Sequence, residues 1–286
     1  MKKDRPLKGS FTIVSLPIGN LKDITLRAIE TLEQSDIIYC EDTRTTIKLI
    51  NHYNIKGTLK SYHEHSTSKA RQKIINELSN GKNISLVSDA GTPLISDPGY
   101  KLIRDIKESG YNVSSAPGVS SPIMALTLSG ISSDKFLFTG FLPIKKSSRL
   151  DYLNEIKNIS ASIIIFESAK RINGTLVDLK EILGDRKVAI CRELTKKFEE
   201  IIDGSITDIL RDISSRDSLK GEIVIVIEGS TKSNEKEMDI ELMLLDALST
   251  MSASEASKEV SKFTNLSRKE VYNIALKLKG KNNHVS

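Results

Sequence analysis

The sequence predicts an α/β fold with two αβα domains and a small C-terminal helical element. From Phe11 onward, apolar runs of strand length alternate with amphipathic runs of helix length, which is typical of βαβ units and a mostly parallel sheet. A chain of 286 residues is long enough for two compact domains. A stretch rich in Ser, Lys and Glu at 229–236 precedes further helical patterns. We therefore predict an N-terminal α/β domain at 1–128, a second at 129–230 and a basic helical tail at 237–280.

The first domain is predicted to contain five strands and five helices. Each strand is a short apolar run, and each helix repeats apolar residues every three to four positions. The predicted strands are 11–16, 36–40, 58–62, 83–87 and 112–115, and the predicted helices are 24–34, 43–51, 69–78, 100–109 and 120–128. Asp23 precedes the first helix and is expected to cap it.

A second αβ series begins after a boundary near 129–134, and three helices follow it. The predicted strands are 136–140, 163–166, 187–192, 200–203 and 221–227, with helices at 148–157, 173–183 and 207–213, and the tail helices are 238–248, 253–263 and 268–278. Ser252 with Glu255, and Ser267 with Glu270, have the spacing of capping boxes. The turn between the last two helices fits a plain helical hairpin, the safer interpretation, or a helix-turn-helix.

The positive charge of the chain is concentrated at its C-terminal end. The net charge is +5, and residues 257–286 carry seven Lys or Arg against two Glu. This distribution favours an anionic polymer as partner, although a solvated lysine-rich end is equally expected from charge alone. No apolar run is long enough to span a membrane and the start resembles no signal peptide, which predicts a cytoplasmic protein. Cys40 and Cys191 are predicted to be buried free thiols.

The segment 88–99, SDAGTPLISDPG, is the strongest candidate for a ligand loop. It follows a predicted buried strand and contains two residues each of Gly, Pro, Asp and Ser. Such a stiff turn at the carboxyl end of a strand is where open α/β sheets bind ligands, although an ordinary turn is the simpler alternative. The chain contains neither G-x-G nor a phosphate-loop motif, which argues against a dinucleotide enzyme or an ATPase.

Two further turns follow predicted strands of the first domain. Pro17 and Gly19 shape the segment 15–20, and Ser120 and Ser121 follow Pro117 and Gly118 in the segment 115–122. Helix capping alone would explain the serines. Because parallel strands end at one edge of a sheet, we expect these turns and the segment 88–99 to wall one pocket.

Polar clusters follow two other strands. Asp42 is expected to cap the next helix, while Glu41 and Arg44 either face a cleft or form only an ion pair. His63 and His65 would lie on one face of a strand. A hydrogen-bonded surface pair is the favoured interpretation there, because no further histidine lies nearby in the sequence to complete a metal site.

Seven motifs occur along the chain in this order: LPIGNLKDITLRAIE, EDTRTT, SYHEH, SDAGTPLISDPG, APGVSSP, FES and SRKEVYNIALKL. Together they resemble the branch of the tetrapyrrole methylase superfamily that methylates ribosomal RNA. The similarity covers essentially all of 11–280. One departure is Ala169-Lys170, where the family usually has Pro-His after Phe-Glu-Ser.

The resemblance implies a homodimeric enzyme with S-adenosylmethionine bound in a cleft between its two α/β domains. It also implies methylation of the ribose 2′-hydroxyl of a decoding-centre cytidine in 16S rRNA. By position, Gly91-Thr92-Pro93 matches the superfamily's Gly-Asp-Pro cofactor loop, with Thr92 replacing its Asp. The expected cofactor-binding residues are Pro17, Asp89, Gly91, Thr92, Pro93, Leu94, Ile95, Ser96, Ser120, Ser121, Phe166 and Leu194, the last two as apolar contacts for the adenine. No metal is expected.

A ribose hydroxyl needs close positioning and a proton acceptor to attack a sulfonium methyl group. Glu41 and Asp42 are the candidate acceptors or positioning groups, with Arg44 orienting a carboxylate or a phosphate. The candidate RNA-binding residues are Lys170, Arg171, Arg268, Lys269, Lys277 and Lys279. Two other functions remain open at this point: a tetrapyrrole (small-molecule) methyltransferase and a non-catalytic RNA-binding assembly factor.

Overall fold

The computed structural model describes residues 9–216, 219–231, 240–264 and 266–282, without the side chains of 241, 242 and 279–282. The chain divides into two compact units. Met1–Lys157 and Ala161–Glu228 form the first unit, and Asn158–Ser160 with Gly229–Ser286 form the second. Apart from 158–160 and 229–230, both predicted α/β domains fall in the first unit, so the boundary between them stays a prediction. No helix in the described ranges is long and apolar enough to cross a membrane.

The first sheet of the first unit is entirely parallel. Its strands are β1 (Phe11–Val14), β2 (Ile37–Cys40), β3 (Thr58–Ser61), β4 (Ile84–Leu86) and β5 (Val113–Ala116), and its helices are α1 (Leu26–Glu33), α2 (Thr43–His52), α3 (Ser68–Ser79), α4 (Tyr100–Glu108) and α5 (Ser121–Leu128). The strand order is β3-β2-β4-β1-β5, with every pairing parallel. The chain leaves β1 toward β2 and leaves β4 in the opposite direction toward β5. The strand order therefore reverses between β1 and β4, where open α/β sheets bind their ligands.

The second sheet differs from the prediction of a mostly parallel arrangement. Its strands are β6 (Phe136–Phe141), β7 (Ser162–Ser168), β8 (Lys187–Arg192), β9 (Glu200–Ser205) and β10 (Glu222–Ile227), with helices α6 (Lys146–Ile156), α7 (Ile172–Leu183) and α8 (Ile206–Ser214). In the order β6-β7-β10-β8-β9, only β6 and β7 pair in parallel, and the other three pairings are antiparallel. A short apolar run carries no information on strand direction, so the sequence pattern did not predict the central position of β10.

Two apolar clusters cover the two faces of the first sheet. One contains Phe11, Tyr39 and Leu86 with residues of α3 and α4, and the other contains Val14 and Ile38 with residues of α1 and α2. These clusters follow from the near-continuous apolar strands that parallel sheets require. Packing on both faces fixes the strands, and with them the carboxyl edge of the sheet, from which the loops emerge.

The predicted helix cap is confirmed at α2 but not at α1, and Ser120 precedes α5 without a side-chain capping hydrogen bond. The side chain of Asp42 accepts a hydrogen bond from the Arg44 amide at 2.8 Å and caps α2, as predicted. Asp23, however, belongs to a 3₁₀ turn, and Thr25 caps α1 by accepting from the Ala28 amide at 3.1 Å. The prediction of Asp23 as the cap was wrong because the 3₁₀ turn delays the start of the helix.

The second unit contains three described helices. They are α9 (Ile240–Thr250), α10 (Ala253–Val260) and α11 (Arg268–Asn282), with a 3₁₀ turn at Ser261–Phe263. Both predicted capping boxes are present, because Glu255 accepts from the Ser252 amide at 3.0 Å and Glu270 accepts from the Ser267 amide at 2.8 Å. The three helices bury their own apolar cluster around Leu244, which explains why this unit is compact.

Candidate active site

Three loops of the first sheet meet at its carboxyl edge and are joined by hydrogen bonds. Leu16, after β1, and Gly91, after β4, exchange two backbone hydrogen bonds of 2.9 and 3.0 Å. The Thr92 hydroxyl donates to the Val119 carbonyl at 2.9 Å and lies 3.0 Å from the Ser15 hydroxyl. One threonine therefore links all three loops. This confirms the prediction that these loops form one wall.

The first of these loops also contacts the segment 193–199 between β8 and β9. The Asn20 amide donates to the Thr195 hydroxyl at 3.1 Å. A Cβ on Gly19 would lie 2.4 Å from the Lys196 Cγ and 2.9 Å from the Thr195 Oγ1. The close approach of the two chain segments therefore depends on a glycine at position 19.

A cavity of about 330 Å³ lies between these loops and the strands of the second sheet. Its volume is at the lower end of the range typical of small-molecule sites. It is lined by Ile18, Glu41, Asp89, Ala90, Gly91, Thr92, Ile95, Ser96, Asp97, Ser120, Ser121, Pro122, Phe141, Phe166, Glu167, Cys191, Leu194, Glu222, Ile223 and Val224. The two sheets of the first unit thus both contribute to a single site.

Backbone strain concentrates around this cavity. Among the described non-glycine residues, five have positive φ, and four of these lie in two loops beside the cavity: Leu94 and Ser96 after β4, and Glu193 and Thr195 after β8. Such conformations cost about 1–3 kcal/mol each and persist where the surroundings fix the chain for function. The strain supports a functional role for both loops.

The charged side chains that line the cavity are all acidic in the described part of the chain. They are Glu41, Asp89, Asp97, Glu167 and Glu222, with no Lys or Arg among them. Only Glu167 is fully buried, and its carboxylate is paired with the Arg171 guanidinium at 3.3 Å and accepts from the Thr175 hydroxyl at 2.6 Å. The cavity therefore suits a ligand that carries positive charge rather than a phosphate.

Asp97 is the most perturbed of these acids. Burial, together with the negative charges of Glu41 and Asp89, raises its pKa to about 6, although a hydrogen bond with Ser88 acts in the opposite direction. The pKa of Glu41 is also raised, by desolvation of its carboxyl and by Asp89, while His63 acts in the opposite direction. Near neutral pH the two carboxyls thus hold a proton more readily than ordinary acids do.

We expect Asp97 to make stability depend on pH. Because its folded pKa lies above the unfolded value of 3.8, its contribution is complete below about pH 4 and is lost as pH rises through about 6. Asp97→Asn should therefore gain stability over the wild type at pH 7.5 but not at pH 4, measured by urea unfolding without ligand. An equal difference at both pH values would contradict this expectation.

The structure brings together most of the predicted cofactor residues. Asp89, Gly91, Thr92, Ile95, Ser96, Ser120, Ser121, Phe166 and Leu194 line the cavity. Pro17, Pro93 and Leu94 do not; Pro17 and Pro93 are buried in the loops, and Leu94 packs against the cluster of Phe11 and Leu86. These three residues pack within the loops or against the core and do not line the cavity.

The three predicted catalytic residues separate in the structure. Glu41 lines the cavity, whereas Asp42 and Arg44 do not. Asp42 caps α2 and pairs with the Arg44 guanidinium at 2.7 Å, which lowers the pKa of Asp42 to about 2. The side chain of Arg44 is 89% exposed. A helix cap and an ion pair, the simpler alternative, therefore account for Asp42 and Arg44. Of the three predicted catalytic residues, Glu41 is the one that lines the cavity.

The predicted RNA-binding residues fall in both units. Lys170 is exposed at the end of β7, but Arg171 is half-buried and donates to the Leu142 carbonyl at 2.9 Å. On α11, Arg268, Lys269 and Lys277 are exposed. The side chain of Lys279 lies outside the described residues.

Several residues that line the cavity were not predicted from the sequence. Phe141, Glu167, Glu222 and Val224 come from the second sheet, whose mixed topology the periodicity did not reveal. Asp97 lies within the predicted ligand loop, and its position beside two prolines and two glycines was the available signal. Cys191 and Ile223 also belong to the second sheet, on β8 and β10. Ile18, Ala90 and Pro122 are next in sequence to the predicted residues Pro17, Asp89 and Ser121.

Neither cysteine nor histidine chemistry is indicated at the cavity. Both cysteines are buried free thiols, as predicted, and burial raises the pKa of Cys191 to about 12, so its thiol is neutral. The rings of His63 and His65 lie 6.3 Å apart. No group of three or more potential metal ligands occurs among the described residues.

An acid-lined cavity shared by two sheets, next to a strained loop after β4, is typical of an α/β protein that binds a cationic small molecule. Residues 10–210 match the family described as Tetrapyrrole (Corrin/Porphyrin) Methylases. The chain belongs to this family and is an S-adenosylmethionine-dependent methyltransferase. Residues 234–279 match a second family, described as the RsmI C-terminal HTH domain, which favours the helix-turn-helix over the plain hairpin.

Similar proteins cover nearly the whole chain. Ribosomal RNA small subunit methyltransferase I of Rickettsia prowazekii is 45% identical over 276 residues, covering 96% of this chain and 98% of the relative. The proteins of that name from Mesorhizobium japonicum and Bacillus subtilis are 44% and 41% identical, covering 96% and 92% of this chain and 94% and 93% of the relatives.

Solved structures with low sequence identity share the fold. Diphthine synthase superimposes with a TM-score of 0.61 at 13% identity, covering 77% of this chain and 90% of the other. The methyltransferase CobJ gives a TM-score of 0.59 at 14% identity, covering 78% and 95%. These likenesses establish the two-sheet architecture.

The cavity residues fit S-adenosylmethionine. The sulfonium and the ammonium group of this cofactor are cationic, which matches the acidic lining. Phe166, Leu194 and Val224 provide an apolar wall of the kind that an adenine ring requires, and the ring of Phe166 packs 4.9 Å from Phe138. Acidic and apolar surfaces therefore occur side by side, as a cofactor with a charged end and an aromatic end needs.

Proposed function

We propose that the chain methylates the ribose 2′-hydroxyl of a decoding-centre cytidine in 16S rRNA. The single observation that carries this proposal is similarity over more than 90% of the chain to proteins named ribosomal RNA small subunit methyltransferase I. That similarity includes the basic C-terminal unit, which a small-molecule methyltransferase has no evident need for. A cytoplasmic homodimer remains part of the proposal, on the basis of the sequence resemblance.

The cofactor and the acceptor have separate requirements at this site. When bound, S-adenosylmethionine supplies the methyl group and a sulfonium leaving group, so the electrophile needs no further activation. We assign its binding to the three loops joined by Thr92 and to the apolar wall at Phe166 and Leu194. The hydroxyl nucleophile must lose its proton as the oxygen–carbon bond forms, and the proton requires an acceptor within hydrogen-bond reach.

Glu41 is the acceptor that we propose. Its side chain is exposed yet lines the cavity, so it can meet both a bound cofactor and a ribose arriving from solvent. Its raised pKa makes it a stronger base than an ordinary glutamate. Beyond the effect of burial, Asp89 lies close enough to raise that pKa, and Asp97, whose own pKa is raised by burial and by Glu41, adds to the negative charge of the site.

The substrate class is tested by offering labelled S-adenosylmethionine together with different acceptors. Small ribosomal subunits from a strain that lacks this modification, free 16S rRNA and a corrin precursor would be compared under the same conditions. The proposal expects label in the ribosomal RNA and none in the corrin. Label in the corrin alone would replace it with a small-molecule methyltransferase.

The second unit is proposed to bind RNA through its basic residues. Deleting 236–286 should weaken binding to the small subunit by about 10-fold or more and reduce its salt dependence, because several phosphate contacts are lost. Binding of S-adenosylmethionine should persist, since the cavity lies entirely in the first unit. Calorimetry with the cofactor and filter binding with RNA measure the two effects. Loss of both activities would show that the tail is structural instead.

A further inference from the structure

Phe141 is an exposed aromatic residue at the edge of the cavity. Its side chain is 59% exposed, although it lines the cavity and its ring lies 5.4 Å from the ring of Phe166. Single exposed apolar side chains are common on protein surfaces, but one at the edge of a binding cavity is positioned to be buried by a partner that binds there. Phe166 is half-buried and lines the same cavity.

A β-bulge directs Phe141 toward this position. The register between β6 and β7 shifts between Phe138 and Gly140, and Gly140 has φ +68°. A Cβ at Gly140 would lie 2.9 Å from the Ser96 hydroxyl of the ligand loop. Bulges next to active sites commonly redirect a side chain. The exposed position of Phe141 is therefore built into the strand.

Two arginines fix the backbone that follows Phe141. Arg171 donates to the carbonyls of Leu142 and Pro143 at 2.9 and 3.3 Å. Arg149 donates to those of Pro143 and Ile144 at 3.3 and 3.1 Å. Each guanidinium is in turn held by a buried carboxylate, Glu167 for Arg171 and Asp178 for Arg149. Hydrogen bonds to charged groups are stronger than neutral ones, so this loop is rigid before any partner binds.

The fixed loop presents both apolar and basic groups. Ile144 is 83% exposed, and Lys145 is exposed next to it. Lys170, exposed after β7, precedes the Arg171 that holds the loop. An exposed ring at the start of a loop that also carries an exposed lysine matches the chemistry of a single-stranded nucleotide, which offers a π-face and a phosphate.

We propose that Phe141 stacks on the base of the nucleotide that is methylated, with Lys145 and Lys170 next to its backbone phosphates. This inference rests on the proposed function and adds the residue that holds the target base. Enzymes that act on a base take it out of the stack and hold it between aromatic or apolar side chains. A ribose hydroxyl of folded RNA must likewise be brought into a cleft, and holding the attached base fixes its position. The chain has only seven Phe, seven Tyr and no Trp, so one well-placed ring fits better than extensive stacking.

The test compares Phe141→Ala and Phe141→Tyr with Phe198→Ala. Phe198 is 64% exposed but does not line the cavity, so it controls for loss of an exposed phenyl ring. We expect Phe141→Ala to lower kcat/KM for the small subunit by about 10- to 100-fold, the effect of one lost base–aromatic stack. Phe141→Tyr and Phe198→Ala should stay within about threefold of wild type.

Calorimetry with S-adenosylmethionine provides the second readout. Because Phe141 lines only the exposed edge of the cavity, the cofactor Kd in Phe141→Ala should change much less than kcat/KM does, and retained cofactor binding also verifies that the variant is folded. A weaker cofactor Kd that accounts for the whole activity loss would make Phe141 a cofactor wall and overturn the inference. Full activity of Phe141→Ala in an assay where the wild type is active would overturn the stacking role alone. No methyl transfer to RNA by the wild type would remove the proposed function and this inference together.

Discussion

Replacing Arg149 with methionine is expected to lower the free energy of unfolding by about 3–5 kcal/mol. The Arg149 side chain is 11% exposed and the Asp178 side chain 2% exposed, and their Nη2 and Oδ2 atoms lie 2.5 Å apart. Among the described residues, removing the guanidinium leaves the buried carboxylate with Lys146 as its remaining ion-pair partner, whose Nζ lies at 3.5 Å. Equilibrium urea unfolding of the full chain measures the change.

Arg211→Met is the matched control for that substitution. Arg211 pairs with Asp208 at 3.4 Å, but the two side chains are 77% and 63% exposed. Exposed pairs contribute less than about 1 kcal/mol because water and salt screen them. If Arg149→Met were no more destabilised than Arg211→Met, burial would not be what makes the Arg149 pair important.

Replacing Glu41 with glutamine is expected to slow the single-turnover rate of methyl transfer by about 100-fold or more. The amide has nearly the same shape but cannot accept a proton from the ribose hydroxyl. Rapid quenching with saturating enzyme and labelled cofactor measures the chemical step, and the cofactor Kd should change little. The pKa shift of Glu41 comes from desolvation and Asp89, so the rate of the wild type should fall as the pH is lowered and Glu41 is protonated.

Asp42→Asn provides the matched comparison one residue away. Asp42 faces its helix and Arg44 rather than the cavity, so its amide variant should keep a rate near that of wild type and lose some thermal stability. Near-normal rates for both amide variants would rule out Glu41 as the proton acceptor. A loss confined to Asp42→Asn would reverse the assignment and make the helix cap part of the catalytic machinery.

The strands and turns of the first sheet could be predicted because each is formed by a residue pattern that is local in the sequence. Strands buried on both faces give continuous apolar runs, and proline with glycine marks the turns after β1, β4 and β5. Those turns were correctly predicted to form one wall, and the structure joins them through Thr92. The candidate site could thus be located from the sequence to the carboxyl edge of the first sheet.

The other half of the site depends on long-range pairing that the sequence does not express. Glu222 reaches the cavity only because β10 inserts between β7 and β8 in antiparallel orientation. Phe141 reaches it because of a one-residue shift in register at Gly140. Likewise, Asp42 and Glu41 are neighbours in sequence, but only tertiary structure reveals that one of them lines the cavity and the other caps a helix.

The central claim is transfer of a methyl group to a ribose hydroxyl of small-subunit RNA. The most direct measurement maps the product after incubation of unmodified small subunits with tritiated S-adenosylmethionine. The RNA is hydrolysed with alkali, which cuts every linkage next to a free 2′-hydroxyl, and the resistant dinucleotides are sequenced. The account predicts one labelled 2′-O-methylcytidine in the decoding region. Label on a base, label in another region, or no label at all despite measurable cofactor binding would contradict it.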